Sequence, residues 1–228
     1  MRHLGIRIII IFLIGSLCGC SMLYSYRNIE RYIRWSLADY VEWDSAQQQQ
    51  LHARLSAQLE WHRQTQLPRY RAWLEGIRDE TQSTVDIAQL QRAADQLQLF
   101  WQDAMAHAAA DIGAQLAMLS DKQVSDLIAA MHEKQADIKA EYAELTPAQA
   151  IKKRSRAMRK AVQYWLGPLE KNQQDLVDEW ARQLPDGRAR WLNSRERWTA
   201  AFEQALAHRH EPDMFAAAIQ RLFVTPQE

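Results

Sequence analysis

The sequence predicts an all-α protein, an antiparallel multi-helix bundle of about seven to eight helices, and three observations carry that reading. Only 7 glycines and 6 prolines punctuate 228 residues, and no stretch alternates apolar and polar residues as a half-buried strand would. A helix-start pattern recurs five times: an apolar residue, a capping residue, two others and then Gln. Between these starts, apolar residues return every three or four positions, the period of one helix face.

The elements follow in order from the N-terminus. Arg2 and Arg7 precede an apolar run, Ile8 to Leu17, of about ten residues. A membrane-spanning helix needs about 20 apolar residues, so this run reads as a secretory leader. Leu17-Cys18-Gly19-Cys20 resembles a bacterial lipobox, although Cys18 stands where a small or hydroxylated residue is usual. The resemblance implies that residues 1–19 are removed as a lipoprotein signal peptide and that Cys20 becomes the lipidated first residue of a single helical domain, 20–228. Several acyl chains, palmitate among them, then form the lipid anchor. More than one chain is what lasting attachment requires. Ser21 follows the cysteine. By analogy that implies sorting to the outer membrane, on the inner leaflet facing the periplasm.

Taking away residues 1–19 removes Arg2 and Arg7 and no acid, leaving 26 basic and 28 acidic residues, a net charge near −2. That balance gives no basic field for nucleic acid. With Cys20 acylated no thiol remains for a disulfide, so a core alone must stabilise the fold.

The first helix is expected from about Tyr24 to Val41, with Ile29, Ile33, Leu37 and Tyr40 on one face. Trp43-Asp44-Ser45-Ala46-Gln47 opens the second, whose stripe is Leu51, Leu55, Leu59 and His62, continued past Pro68 by Tyr70, Leu74 and Ile77. Thr81–Thr84 is the only hinge in the first half. Val85-Asp86-Ile87-Ala88-Gln89 starts a helix in which Ile87, Leu90, Ala94, Leu97, Trp101, Ala104 and Ala108 step 3,4,3,4,3,4, a bundle seam. Leu119-Ser120-Asp121-Lys122-Gln123 and Leu145-Thr146-Pro147-Ala148-Gln149 open two more, with Pro147 at the first helical position, where its missing N–H costs nothing. Leu169-Glu170-Lys171-Asn172-Gln173 is a degenerate fifth copy, because Glu is a poor cap. Val85 with Leu90 and Leu119 with Val124 stand at the spacing of hydrophobic staples. Shorter helices are expected at 170–184, 188–209 and 213–223, and the short connections between elements favour antiparallel neighbours.

Leu145-Thr146-Pro147-Ala148-Gln149 resembles the Leu-Thr-x-x-Gln element of the Spy/CpxP-type periplasmic chaperones, helical proteins that cradle unfolded clients, although this chain is about twice as long. A wider likeness rests on Trp35-Ser36-Leu37-Ala38-Asp39-Tyr40-Val41, Glu60-Trp61-His62-Arg63, Leu67-Pro68-Arg69-Tyr70 and Trp165-Leu166-Gly167-Pro168-Leu169. On these the chain resembles an uncharacterised proteobacterial lipoprotein family, a domain of unknown function. That resemblance implies an envelope location and a helical fold, and no activity.

No Gly-rich phosphate loop, Gly-x-Ser-x-Gly elbow or thiol nucleophile is present, and the seven histidines show no two-ligand spacing, so no metal and no cofactor is expected. Trp35, Asp39, Tyr40, Trp61, His62, Arg63, Arg69 and Tyr70 form the densest polar and aromatic set, a binding site or a structural clasp between two successive helices. Arg27, Arg31 and Arg34 recur at helical spacing near the anchor, a face for anionic headgroups. Lys152 to Lys160 hold six cations in nine residues, a solvated face or a surface for an acidic partner. The nine tryptophans are either core anchors or a groove. The expected function is a non-enzymatic binding or scaffold lipoprotein of the bacterial cell envelope. Its partners are the membrane and another envelope protein or unfolded client, the latter in a chaperone-like form. The alternative is an enzyme acting on an envelope polymer through an Asp39/His62 centre.

Overall fold

The computed structural model describes residues 26, 28–80 and 85–224. The leader, Cys20, Arg27 and the hinge expected at 81–84 therefore lie outside the described residues. The fold is an all-α helical bundle. Its helices are α1 (Ile29–Ala38), α2 (Ser45–Trp61), α3 (Leu67–Glu80), α4 (Ile87–Ala117), α5 (Asp121–Ala143), α6 (Pro147–Leu166), α7 (Lys171–Gln183), α8 (Arg188–Ala207) and α9 (Pro212–Phe223). A π turn, His62–Gln66, joins α2 to α3 without a break, so the described residues form eight continuous helices. No strand occurs among them.

All five repeats of the Gln pattern stand at helix starts. Asp44 and Gln47, Asp86 and Gln89, and Thr146 and Gln149 each form a reciprocal capping box. Ser120 and Gln123 do the same: the Ser120 N–H donates to Gln123 Oε1 at 2.9 Å and the Gln123 N–H to Ser120 Oγ at 3.2 Å. In the fifth copy Gln173 Oε1 still accepts from the Glu170 N–H at 2.9 Å, while Asn172 Oδ1 accepts from the Gln173 N–H at 2.8 Å. Of the two staples, Leu119 and Val124 are both buried, whereas Val85 and Leu90 are both exposed.

The chain divides into two compact units, residues 1–127 with 204–228, and residues 128–203. In the first, α1 lies antiparallel to α2. Glu30 accepts from Ser56 and meets His52, while Tyr26 reaches the later His62. Helix α9 packs along α4, burying Phe215, Ile219 and Leu222 with Ala109, Leu119 and Leu206. Polar side chains hold the turn between α4 and α5. The amides of Gln47 and Gln123 pair at 2.7–2.9 Å, and Gln47 Nε2 also donates to the Met118 carbonyl at 2.9 Å. Gln123 Nε2 donates to the Glu42 carbonyl at 2.6 Å, and the buried Gln115 to the Gln47 carbonyl at 3.1 Å. Two capping glutamines thus bond each other, tying the starts of α2 and α5 together. Arg209, 8% exposed, donates to the carbonyls of Leu119 at 3.1 Å and Leu206 at 3.2 Å, and to Asp121.

In the second unit, Arg188 donates to the carbonyls of Tyr142 at 3.2 Å and Leu145 at 3.0 Å, closing the C-terminal end of α5. Arg154 does the same for α7, at Ala181 (3.2 Å) and Leu184 (2.7 Å). Helix α6 ends on Gly167, whose φ of 78° is left-handed and open to glycine at least cost. Trp198 stacks on Phe202 at 5.1 Å, and Thr199 donates to Gln135 Oε1 in a buried contact at 3.3 Å.

Three substitutions test this packing. Arg209→Ala takes the side-chain donor from the Leu119 carbonyl, while the Leu206 carbonyl keeps the backbone N–H of residue 209, so it should cost about 2 kcal/mol in urea unfolding. Asp121→Asn should cost less than about 1 kcal/mol, because the Asp121 side chain is 94% exposed. Gly113→Ala should raise stability by up to about 1 kcal/mol in the same assay, since a Cβ there would meet Ile219 at 3.7 Å, ordinary van der Waals contact.

Candidate functional site

Pro68 cannot donate a backbone hydrogen bond, and its ring collides with the carbonyl four residues back in a regular helix. The chain answers by widening one turn. The Leu67 N–H reaches back five residues to the His62 carbonyl, and Thr65 Oγ1 donates to the Trp61 carbonyl at 2.6 Å. A π turn absorbs one extra residue. At about 100° per residue, His62 and Tyr70 would sit about 80° apart on an uninterrupted α-helix. With one residue absorbed they return to one face, His62 edge-on to Tyr70 with centroids 5.5 Å apart.

Around that pair the first unit gathers its aromatic side chains. The Tyr26 hydroxyl bonds His62 Nδ1 at 2.9 Å. Tyr70 packs on Phe100 of α4 at 4.6 Å, and Trp73 meets the same ring edge-on at 5.6 Å. The Arg69 guanidinium lies 5.4 Å over Phe100 while donating to Gln66 Oε1 at 3.2 Å and Asp103 at 2.6 Å. Gln66 is almost wholly buried. Trp61 turns away to stack on His107 at 3.7 Å. Burial pushes the phenols of Tyr26 and Tyr70 above their ordinary value and the His62 imidazole below its own. A neutral His62 ring accepts the Tyr26 O–H, and the ion pairs sit at the margin: Arg63 with Glu60 at 2.5 Å, Arg69 with Asp103.

Of the eight residues singled out from sequence, Trp61, His62, Arg63, Arg69 and Tyr70 converge on the π turn. Trp35, Asp39 and Tyr40 do not. The antiparallel packing of α1 on α2 sets Asp39 beside the start of α2, roughly 25 Å of helix away from His62. No hydrogen bond or ion pair joins the two, so the acid–base pair of the alternative reading is not formed in this structure. Trp35 is exposed beside Tyr32, with centroids 6.0 Å apart. Arg31 is exposed, and Arg34 lies 3.6 Å from Glu30. Tyr26, Trp73, Phe100, Asp103 and His107 complete the cluster and were not among the eight residues singled out from sequence. Phe100 lies off the 3,4 stripe, and only the proline-induced turn would have pointed to the common face. The arrangement is a neutral aromatic clasp joining α1, α2–α3 and α4. Among the described residues no group of three or more His, Cys, Asp or Glu is placed to hold a metal ion. No helix among them is long and apolar enough to cross a membrane.

The surface differs from the expected seam. Ile87, Leu90, Leu97 and Trp101 are 76, 61, 55 and 62% exposed. The first four turns of the 3,4 stripe face solvent, while Phe100, Ala109 and Gly113 on the neighbouring face are buried. None of the nine tryptophans is fully buried, and Trp35, Trp101, Trp165 and Trp191 are exposed.

The comparisons with known proteins end at the family level. A family model described as a family of unknown function, DUF6279, matches residues 39–228. No curated protein and no solved structure matches the chain.

The clasp has a pH signature. Burial holds the His62 pKa below the 6.5 of an open imidazole, so as pH falls the unfolded chain takes up this proton before the folded one. The stability held by the neutral ring is complete above about pH 6.5 and declines as pH drops through the window below it. The urea midpoint should fall between about pH 7.5 and pH 5.5, and His62→Phe should remove that part of the slope.

Proposed function

The chain belongs to DUF6279, a family of unknown function, and on that footing we propose that it is a non-enzymatic binding protein of the bacterial cell envelope. Lipid on Cys20 would hold it to the outer membrane, facing the periplasm, with Arg31 and Arg34 of α1 available to anionic headgroups. Its working surface is the exposed stripe Ile87, Leu90, Leu97 and Trp101 of α4, and its partner is an apolar face of another protein, in the manner of a periplasmic chaperone taking up an unfolded client.

The exposed 3,4 stripe carries this reading. Its period is that of a helix–helix seam, yet no helix among the described residues of the first unit covers its first four turns. Contiguous apolar surface of this kind marks interaction sites, and burying it contributes roughly 25 cal/mol per Å². The neutral aromatic clasp beneath holds the helix that presents the stripe.

The purified chain should suppress aggregation of an unfolded client at stoichiometric amounts. Ile87→Lys with Trp101→Lys should abolish that suppression while shifting the unfolding midpoint little, since exposed substitutions cost within about 0.5 kcal/mol. A photo-crosslinker at Leu97 should capture the client. Suppression unchanged in the double variant would exclude this face.

A further inference from the structure

We infer that the groove between α6 and α7 in the second unit is a binding site for ligands carrying two or more phosphate groups. The six cations of the segment Lys152–Lys160 divide by helical position into a spent set and an open one. Lys153 pairs with Glu141 and lies 5.1 Å over the Tyr142 ring. Arg154 is taken up by the carbonyls that end α7. Arg159 binds Asp178 and donates to Gln174 Oε1 at 3.2 Å. Lys152, Arg156 and Lys160 are exposed and have no hydrogen-bond or ion-pair partner among the described residues. They stand four residues apart, a row about 12 Å long on one face of the helix.

That row lines a groove of about 620 Å³, with Ile151, Ser155, Gln163 and Gln174 among its walls. Five cations face it, counting Arg159 and Arg182, against one carboxylate, Asp178. The carboxylate is already engaged by the Arg159 guanidinium and the Ser155 hydroxyl, which hold its pKa down at about 2. Arg182 has its own partner in Glu179 at 2.6 Å. The Nε of Arg159 is buried without an acceptor, so the floor of the groove stays electron-poor. Like charges four residues apart repel along a helix. Here two such pairs follow in succession, Lys152 with Arg156 and Arg156 with Lys160. A compact anion would bridge only one of them. A ligand with phosphates in series spans the row, and guanidinium and ammonium groups are the side chains that hold phosphate oxygens.

The test uses the purified full chain in neutral micelles, with thermal unfolding and calorimetric titration as readouts. The probes are sodium tripolyphosphate, orthophosphate, and micelles doped with a diphosphorylated lipid. Tripolyphosphate or the doped lipid should raise the unfolding temperature, and orthophosphate should bind at least about tenfold more weakly. A response to tripolyphosphate alone assigns a soluble ligand, and one to the doped micelles alone assigns a headgroup. Lys152→Gln with Arg156→Gln and Lys160→Gln should weaken binding about tenfold or more, whereas Lys153→Gln, which removes one positive charge outside the groove, should leave it within about twofold. No response to either phosphate-bearing probe, or a response undiminished in the triple variant, would overturn the assignment.

Discussion

Every α-helix leaves four N–H and four C=O groups without partners inside the helix, and the eight helices among the described residues must satisfy them repeatedly. This one has few glycines to turn its helix ends, so side chains do the work. Glutamines help close the N-termini of α2, α4, α5, α6 and α7, and arginines the C-termini of α5, α7 and α8, where a cation also meets the negative end of the helix dipole. The turn between α4 and α5 concentrates the device. Gln47 and Gln123 cap their own helices and bond each other, and Arg209 brings the end of α8 onto the same turn. Caps that reach a second helix convert a local requirement into tertiary structure, and the packing of α9 along α4 is built beside that junction.

A single proline has a similar reach. Because Pro68 cannot sit in a regular helix, one turn widens, one residue is absorbed, and His62 comes onto the face of Tyr70. The rings of Tyr26 and Tyr70 then close on a neutral imidazole, with Phe100 and Trp73 packed behind Tyr70. Cation and carboxylate pairs remain at the margin, where water screens them. The centre is a joint between helices, built from apolar area and one shared hydrogen bond.

The charged surface is organised by the same helical period. Along α6, one face directs cations into neighbouring carboxylates and helix ends and another directs them into an open groove. Along α4, the period presents an apolar row to solvent and keeps the adjoining row for the core. Both surfaces are regular, and neither has its charge or apolar area satisfied by the described residues of its own unit.

The all-α class and the five marked helix starts were legible in the sequence, because a capping box is complete within four residues and needs no partner elsewhere. Pro147 and the staple of Leu119 with Val124 were legible for the same reason. Tertiary structure decided what lies against each face. Periodicity says that Ile87, Leu90, Leu97 and Trp101 share a side of α4, but not whether another helix covers it. It counts six cations in α6 without telling which meet a carboxylate. It also set Asp39 and His62 on successive helices without fixing their distance, and antiparallel packing placed them at opposite ends. Spacing along a chain determines which residues share a face; only packing determines what that face touches.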